Sequence, residues 1–171
     1  VVQPVYEPGG ANSAAADTGT YVVDLHDALT EAGFSVNESL YDAYADSSTT
    51  RVASNNLQVS GGPNSDGSAN DAPVLGEEPA SFYTDELKAS WDNDFHDAAI
   101  VMLAREGGEE IEQMMYDPDG VSALSLHQDE KDMLQMIRDS GKFDKVIVLL
   151  NSAFQMEVDW LEEYGVDACL W

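Results

Sequence analysis

Cationic side chains are scarce in this sequence. Seven Lys and Arg stand against 33 Asp and Glu, a formal charge of −26. Nucleic acids and anionic lipid surfaces both require a cationic footprint, so neither is expected as a partner. The excess suits an uncharged or cationic ligand and a secreted, cell-surface or salt-exposed setting. Cysteine is nearly absent. Cys169 is the single thiol, so no internal disulfide can form, and its place in "VDACLW" marks it as a small buried apolar residue. Long apolar runs are missing too. None reaches the roughly 18 residues that a membrane-spanning helix needs, and no signal-type segment opens the chain. The three histidines, His26, His96 and His127, lie far apart, which argues against a zinc site. No P-loop, G-x-G-x-x-G or G-x-S-x-G pattern occurs. "DPDG" at 117–120 opens like a calcium loop, but its twelfth position is Gln128, where a bidentate Glu is required, so a turn is expected. No metal and no cofactor are expected.

What is present is an alternation. Residues 1–20 have no period and read as a loop. "YVVDLHDALTEA" at 21–32 puts Val22, Leu25, Leu29 and Ala32 on one helical face, with Thr20 as cap and Gly33 as stop. "FSV" can form a short strand, and "NESLYDAYA" a helix capped by Asn37. Residues 46–80 are rich in Ser, Asn, Gly and Asp, with few large apolar side chains. They read as a partly mobile surface insertion within one domain spanning 1–171. Helices follow at 81–92 and 125–139, the latter capped by Ser125, and at "QMEVDWLEEYG". Apolar strands are expected at 98–104, 145–150 and "VDACLW". Apolar strands alternating with amphipathic helices predict an α/β fold, a three-layer α/β/α sandwich with a mostly parallel sheet buried on both faces.

Parallel strands open their following loops at one edge, the carboxyl edge, where ligands bind in open α/β sheets. "REGGEE" at 105–110 and "NSAFQME" at 151–157 are therefore expected near each other. A glutamate beside Gly107 and Gly108 at that edge can serve as a general acid. Crowding by Glu106, Glu110 and Glu112 would raise its pKa, and Arg105 would lower it. The same glutamates can instead begin a helix, "EEIEQMM", and complement its dipole.

The run "DAAIVMLAREGGEE", followed by "LSLHQDEKDMLQMIRDSGKFDKVIVLLNSAFQMEVDWLEEYGVDACLW", resembles the C-terminal α/β-sandwich domain of glycoside hydrolase family 3, the β-glucosidases and β-xylosidases. The likeness covers residues 81–171 and extends more loosely over "YEPGG…YVVDLHDALTEAGFSVNESLYDAY". It implies that Glu109 is the acid/base of a retaining hydrolase acting on a β-linked glucoside or oligosaccharide. It places Arg105, Gly107, Gly108 and Asn151 around the substrate site, with Arg105 and Asn151 positioning the loops. Glu110 stands where the family has glycine, Glu112 where it has Asp, and Gln155 where it has proline, while Glu157 matches. The family's nucleophile is an Asp on a separate (β/α)₈ barrel, which takes about 250 residues. The chain is therefore expected to be a piece of a larger enzyme, truncated at its C-terminus and without its barrel partner. The departures at Glu110 and Gln155 keep open a second reading, a non-catalytic carbohydrate-binding or structural α/β domain.

Overall fold

The computed structural model describes residues 25–45, 58–59, 77–105, 112–113, 116, 120–122, 124–152 and 155–171. The expected loop at 1–20, the first residues of the helix at 21–32 with its Thr20 cap, and most of the insertion at 46–80 lie outside the described residues.

The centre is a parallel sheet of strands β2 (Ala99–Arg105), β4 (Val146–Ser152) and β5 (Ala168–Leu170), in the order β2-β4-β5. The α/β class is thus present. The seven register pairs of β2 with β4 run from Ala99↔Val146 to Arg105↔Ser152. At the amino ends, Asp167 ties β5 to β4: its carboxylate accepts from the Val146 N–H at 2.9 Å and from Lys145 Nζ at 2.8 Å.

Burial along β2 and β4 alternates. Ala99, Val101, Leu103 and Arg105 are buried, as are Val146, Val148 and Leu150, whereas Ile100, Met102, Ile147 and Leu149 are only half-buried. A parallel strand covered on both faces would be buried throughout. Among the described residues one face carries the helical layer and the other is partly open, with Leu170 57% exposed. The covering helix is α4 (Gln128–Ser140), which presents Glu130, Met133 and Leu134 to the sheet. Its partners in the core include Leu103, Leu126, Val148, Trp160 and Tyr164.

Local chemistry sets the helix ends. In α2 (Glu38–Ala45) the Asn37 side chain accepts from the Leu40 N–H at 3.2 Å, the cap expected from the sequence. In α3 (Asp85–Asn93) Thr84 does the same for Leu87, and Asp85 and Glu86 sit at the positive end of the helix dipole. In α4 the cap position is His127, not Ser125. The Ser125 hydroxyl turns back to donate to the Ser122 carbonyl at 3.0 Å, so the helix starts later. Gly141, at φ 58°, ends it in the left-handed conformation that glycine adopts without penalty. The first helix, α1 (Leu25–Glu31), is short and buries no residue.

Three other expectations are corrected. "QMEVDWLEEYG" forms only a 3₁₀ turn at Asp159–Leu161 followed by single turns. The Trp160 indole N–H takes the Glu157 carbonyl at 2.6 Å, the oxygen that an α-helix would give to Leu161. "FSV" joins no ladder. Within "EEIEQMM", where a helix start was one reading, the described Glu112–Gln113 form strand β3, which pairs antiparallel with β1 (Gln58–Val59), while Glu109 and Glu110 lie outside the described residues. That ladder also brings part of the 46–80 stretch into ordered structure, and at its far end Glu77 and Glu78 are buried. Among the described residues no helix is long and apolar enough to cross a membrane.

Candidate functional site

Strands β2 and β4 run side by side to a common carboxyl edge. Ala104 is in register with Asn151 and Arg105 with Ser152. The two segments "REGGEE" and "NSAFQME" therefore leave neighbouring strand ends, as strand direction required. Asn151 is exposed at this edge. Glu109, Gly107 and Gly108 lie outside the described residues.

Arg105 turns inward. It stands on the same strand face as Val101 and Leu103, so its guanidinium meets the start of α4. Nη1 donates to Glu130 Oε1 at 2.7 Å and Nη2 to Glu130 Oε2 at 2.8 Å, a bidentate pair whose side chains are 0% and 2% exposed. The same two nitrogens also donate to the Ala104 carbonyl at 2.8 Å and the Ser125 carbonyl at 3.0 Å. Glu130 Oε2 further accepts from the His127 N–H at 2.8 Å. One buried assembly thus joins the end of β2, the 122–125 turn and the first turn of α4. The Arg105 fork fixes where the chain leaves the sheet.

The rest of the edge is pinned by single bonds. Glu157 donates its N–H to the Leu124 carbonyl at 2.9 Å, linking the segment after β4 to the turn before α4. Its own carboxylate-bearing residue is exposed. Trp171, 78% exposed, donates from Nε1 to the Ser152 carbonyl at 3.2 Å. Asp129, in the first turn of α4, has its carboxyl held above the ordinary range by partial burial, with His127 opposing that shift. Burial also raises the Cys169 thiol, in keeping with an inert packing residue. Among the described residues no group of three or more His, Cys, Asp and Glu is placed to hold a metal ion.

A second polar cluster was not anticipated. Glu77 Oε1 accepts from the Tyr44 hydroxyl at 2.7 Å, the Tyr83 hydroxyl at 2.8 Å and the Glu78 N–H at 2.7 Å. The two tyrosine hydroxyls also touch each other. Burial is the main cause that raises the Glu77 carboxyl, against the lowering effect of its hydrogen bonds. Both tyrosines are pushed up from their ordinary value by burial first and by the Glu77 charge second. Sequence offered a signal for Glu130, an acid three residues into a helix from its cap. It offered none for Glu77, whose partners are 33 residues upstream and 6 downstream.

The chain matches no family model, no curated protein and no solved structure.

Proposed function

We propose that the chain is part of a retaining glycoside hydrolase acting on β-linked glucosides or related glycosides, with Glu109 as its acid/base. The observation that carries this reading is the carboxyl edge: the segment bearing Glu109 starts from Arg105, which Glu130 holds, directly beside the Asn151–Ser152 end of β4. A general acid must be delivered to a fixed point, and a rigid strand end supplies that fixed point.

In the proposed reaction Glu109 protonates the glycosidic oxygen as the bond to the anomeric carbon breaks. A carboxylate on a partner barrel attacks that carbon and forms a glycosyl ester. Glu109, now ionised, removes a proton from water, which attacks the anomeric carbon and releases the sugar. The two carboxyl groups of such a site stand roughly 5 Å apart. Arg105 and Asn151 position the segments around it, and Gly107 and Gly108 supply the backbone freedom that lets Glu109 reach the substrate.

The test is Glu109→Gln in the complete parent enzyme, assayed on an aryl β-glucoside. A fall in kcat of about 10²–10⁴-fold, with folding unchanged, is expected. Undiminished activity would remove Glu109 from the mechanism and leave the domain a non-catalytic, sugar-binding or structural role. The 1–171 chain alone is expected to release no aryl alcohol above background, because the nucleophile is on the partner. Release abolished by Glu109→Gln would require a second carboxylate within this chain and sink the two-domain arrangement.

A further inference from the structure

Two excursions of the chain meet at one small ladder. The first leaves the sheet at Arg105 and comes back to the same side chain at Ser125, whose carbonyl accepts from Arg105 Nη2 at 3.0 Å. The second leaves α2 after Ala45 and is closed at its base by the Tyr44 hydroxyl, which donates to Glu77 Oε1 at 2.7 Å. Arg105, Tyr44 and Glu77 are all buried, so both closures are shielded from water. Strand β3 of the first excursion pairs with β1 of the second, Gln58 opposite Gln113 and Val59 opposite Glu112. The Tyr116–Ser122 bridge ties the first excursion to itself; β1 ties it to a separate part of the chain.

The place of this ladder in the chain bears on the chemistry. Glu109 stands four residues after Arg105 and three before Glu112. A chain advances at most about 3.6 Å per residue, so Arg105 alone confines Glu109 only to within about 14 Å. The ladder confines it to within about 11 Å of Glu112, and both limits apply together. The two connections also differ in stiffness. Gly107 and Gly108 lie between Arg105 and Glu109, whereas Glu110 and Ile111 lie between Glu109 and the ladder. Glycine leaves the backbone most free, so the upstream connection is the soft one and the downstream anchor decides more. A misplacement of about 1 Å at a catalytic group can cost about 10²-fold in rate.

We propose that the polar stretch between α2 and Glu77 belongs to the catalytic apparatus, with the backbone of Gln58 and Val59 as a positioning element that sets where Glu109 stands. The proposal rests on the reading of Glu109 as the acid/base.

Such a role has a chemical signature. Proton delivery matters when the leaving group is a sugar and hardly at all when it is dinitrophenolate, which departs without a proton. The test compares kcat/KM of the complete parent enzyme on a β-linked glucose disaccharide and on dinitrophenyl β-glucoside. Gln58→Pro with Val59→Pro removes both amide donors of β1. It is expected to lower kcat/KM on the disaccharide by about 10²-fold, with the dinitrophenyl substrate little changed. Glu109→Gln, measured in parallel, is expected to show the same selectivity with a loss of about 10²–10⁴-fold. Val59→Cys with Glu112→Cys joins directly opposed residues, whose Cα spacing of about 4.5–5.5 Å suits a disulfide. That bond is expected to form on oxidation and to preserve disaccharide hydrolysis, and this variant stands in if the proline variant does not fold. Selective loss from Glu109→Gln with none from the proline variant would overturn the positioning role and leave the acid/base reading standing. So would a loss from the proline variant that is equal on both substrates, or a disulfide that does not form. Absence of selectivity in Glu109→Gln itself would overturn the acid/base reading and this proposal with it.

Discussion

Two buried glutamates in this molecule are treated in opposite ways. Glu130 lies under the end of β2 and is met by a guanidinium through two short, parallel hydrogen bonds. Glu77 lies near α2 and α3 and is met, among the described residues, by two phenols and one amide N–H. The first is a closed assembly: both carboxylate oxygens are used, and the partners come from β2 and α4. In the second, the donors among the described residues all meet one oxygen, and the carboxyl is raised by burial. A buried carboxylate met by a bidentate Arg locks geometry. One met mainly by neutral donors is dominated by burial, which favours the protonated form.

The comparison breaks most sharply at Arg105. Arg105→Met leaves Glu130 buried without its cation and is expected to cost about 3–5 kcal/mol of unfolding free energy, measured by urea denaturation. The double variant Arg105→Met with Glu130→Leu is expected to recover most of that loss. A single variant within about 1 kcal/mol of wild type would show that the pair does not hold the strand end.

Glu77→Leu is expected to cost less, about 1–3 kcal/mol, because it strands two tyrosine hydroxyls and an amide but no charge. Were it to destabilise as much as Arg105→Met, the distinction between the two sites would fail.

The sign of the pH dependence separates them further. The Glu77 carboxyl is raised above its ordinary value of 4.5, so the folded chain binds that proton more tightly than the unfolded one. Its contribution to stability is full below the ordinary value and is lost as pH rises through the raised one. Relative to Glu77→Gln, wild type is therefore expected to lose stability as pH is taken upward from 4.5 through the raised value. A difference that is flat with pH, or that changes in the other direction, would contradict this assignment.

Charge as a whole acts more weakly. With a net charge of −26 the folded chain repels itself, and added NaCl up to 1 M, where screening acts over about 3 Å, is expected to raise the Tm. A Tm that falls with salt would refute this. The smallest effect is expected at Lys145–Asp167, an exposed pair at 2.8 Å. Lys145→Met should destabilise slightly at low salt and not at all in 1 M NaCl. Asp167 is held below its ordinary range first by Lys145 and then by the Val146 N–H. Its contribution is present above that range and is lost as pH falls, the reverse of Glu77. A loss from Lys145→Met as large as that from Glu77→Leu would mean that exposure does not rank these sites.

Much of the sheet was legible. Residues 98–104 and 145–150 were expected as strands, and β2 and β4 occupy 99–105 and 146–152. Their unbroken apolar runs are too short for helices in this context. The juxtaposition of the segments after Arg105 and Asn151 followed from strand direction alone. Asn37 capped its helix because the interaction spans three residues. By contrast, Ser125 is not the cap: its hydroxyl donates to the Ser122 carbonyl and its own carbonyl accepts from the Arg105 fork, 20 residues away. The glutamates after Gly108 fit a helix start, but Glu112 and Gln113 pair with Gln58 and Val59, a choice that local periodicity does not carry.

The amino-acid sequence by itself determined the strongly acidic surface, the absence of an internal disulfide and the parallel α/β class. These depend on composition and on periods of two and 3.6 residues, which act over short stretches of chain. Only the tertiary structure decided that Arg105 is a clamp buried against Glu130, that Glu77 and Glu78 of a polar stretch are buried, and that a cavity stands beside β2. Each of these depends on groups distant in sequence meeting where water is excluded. There an unpaired donor or acceptor costs enough to choose between arrangements that local preference leaves nearly equal.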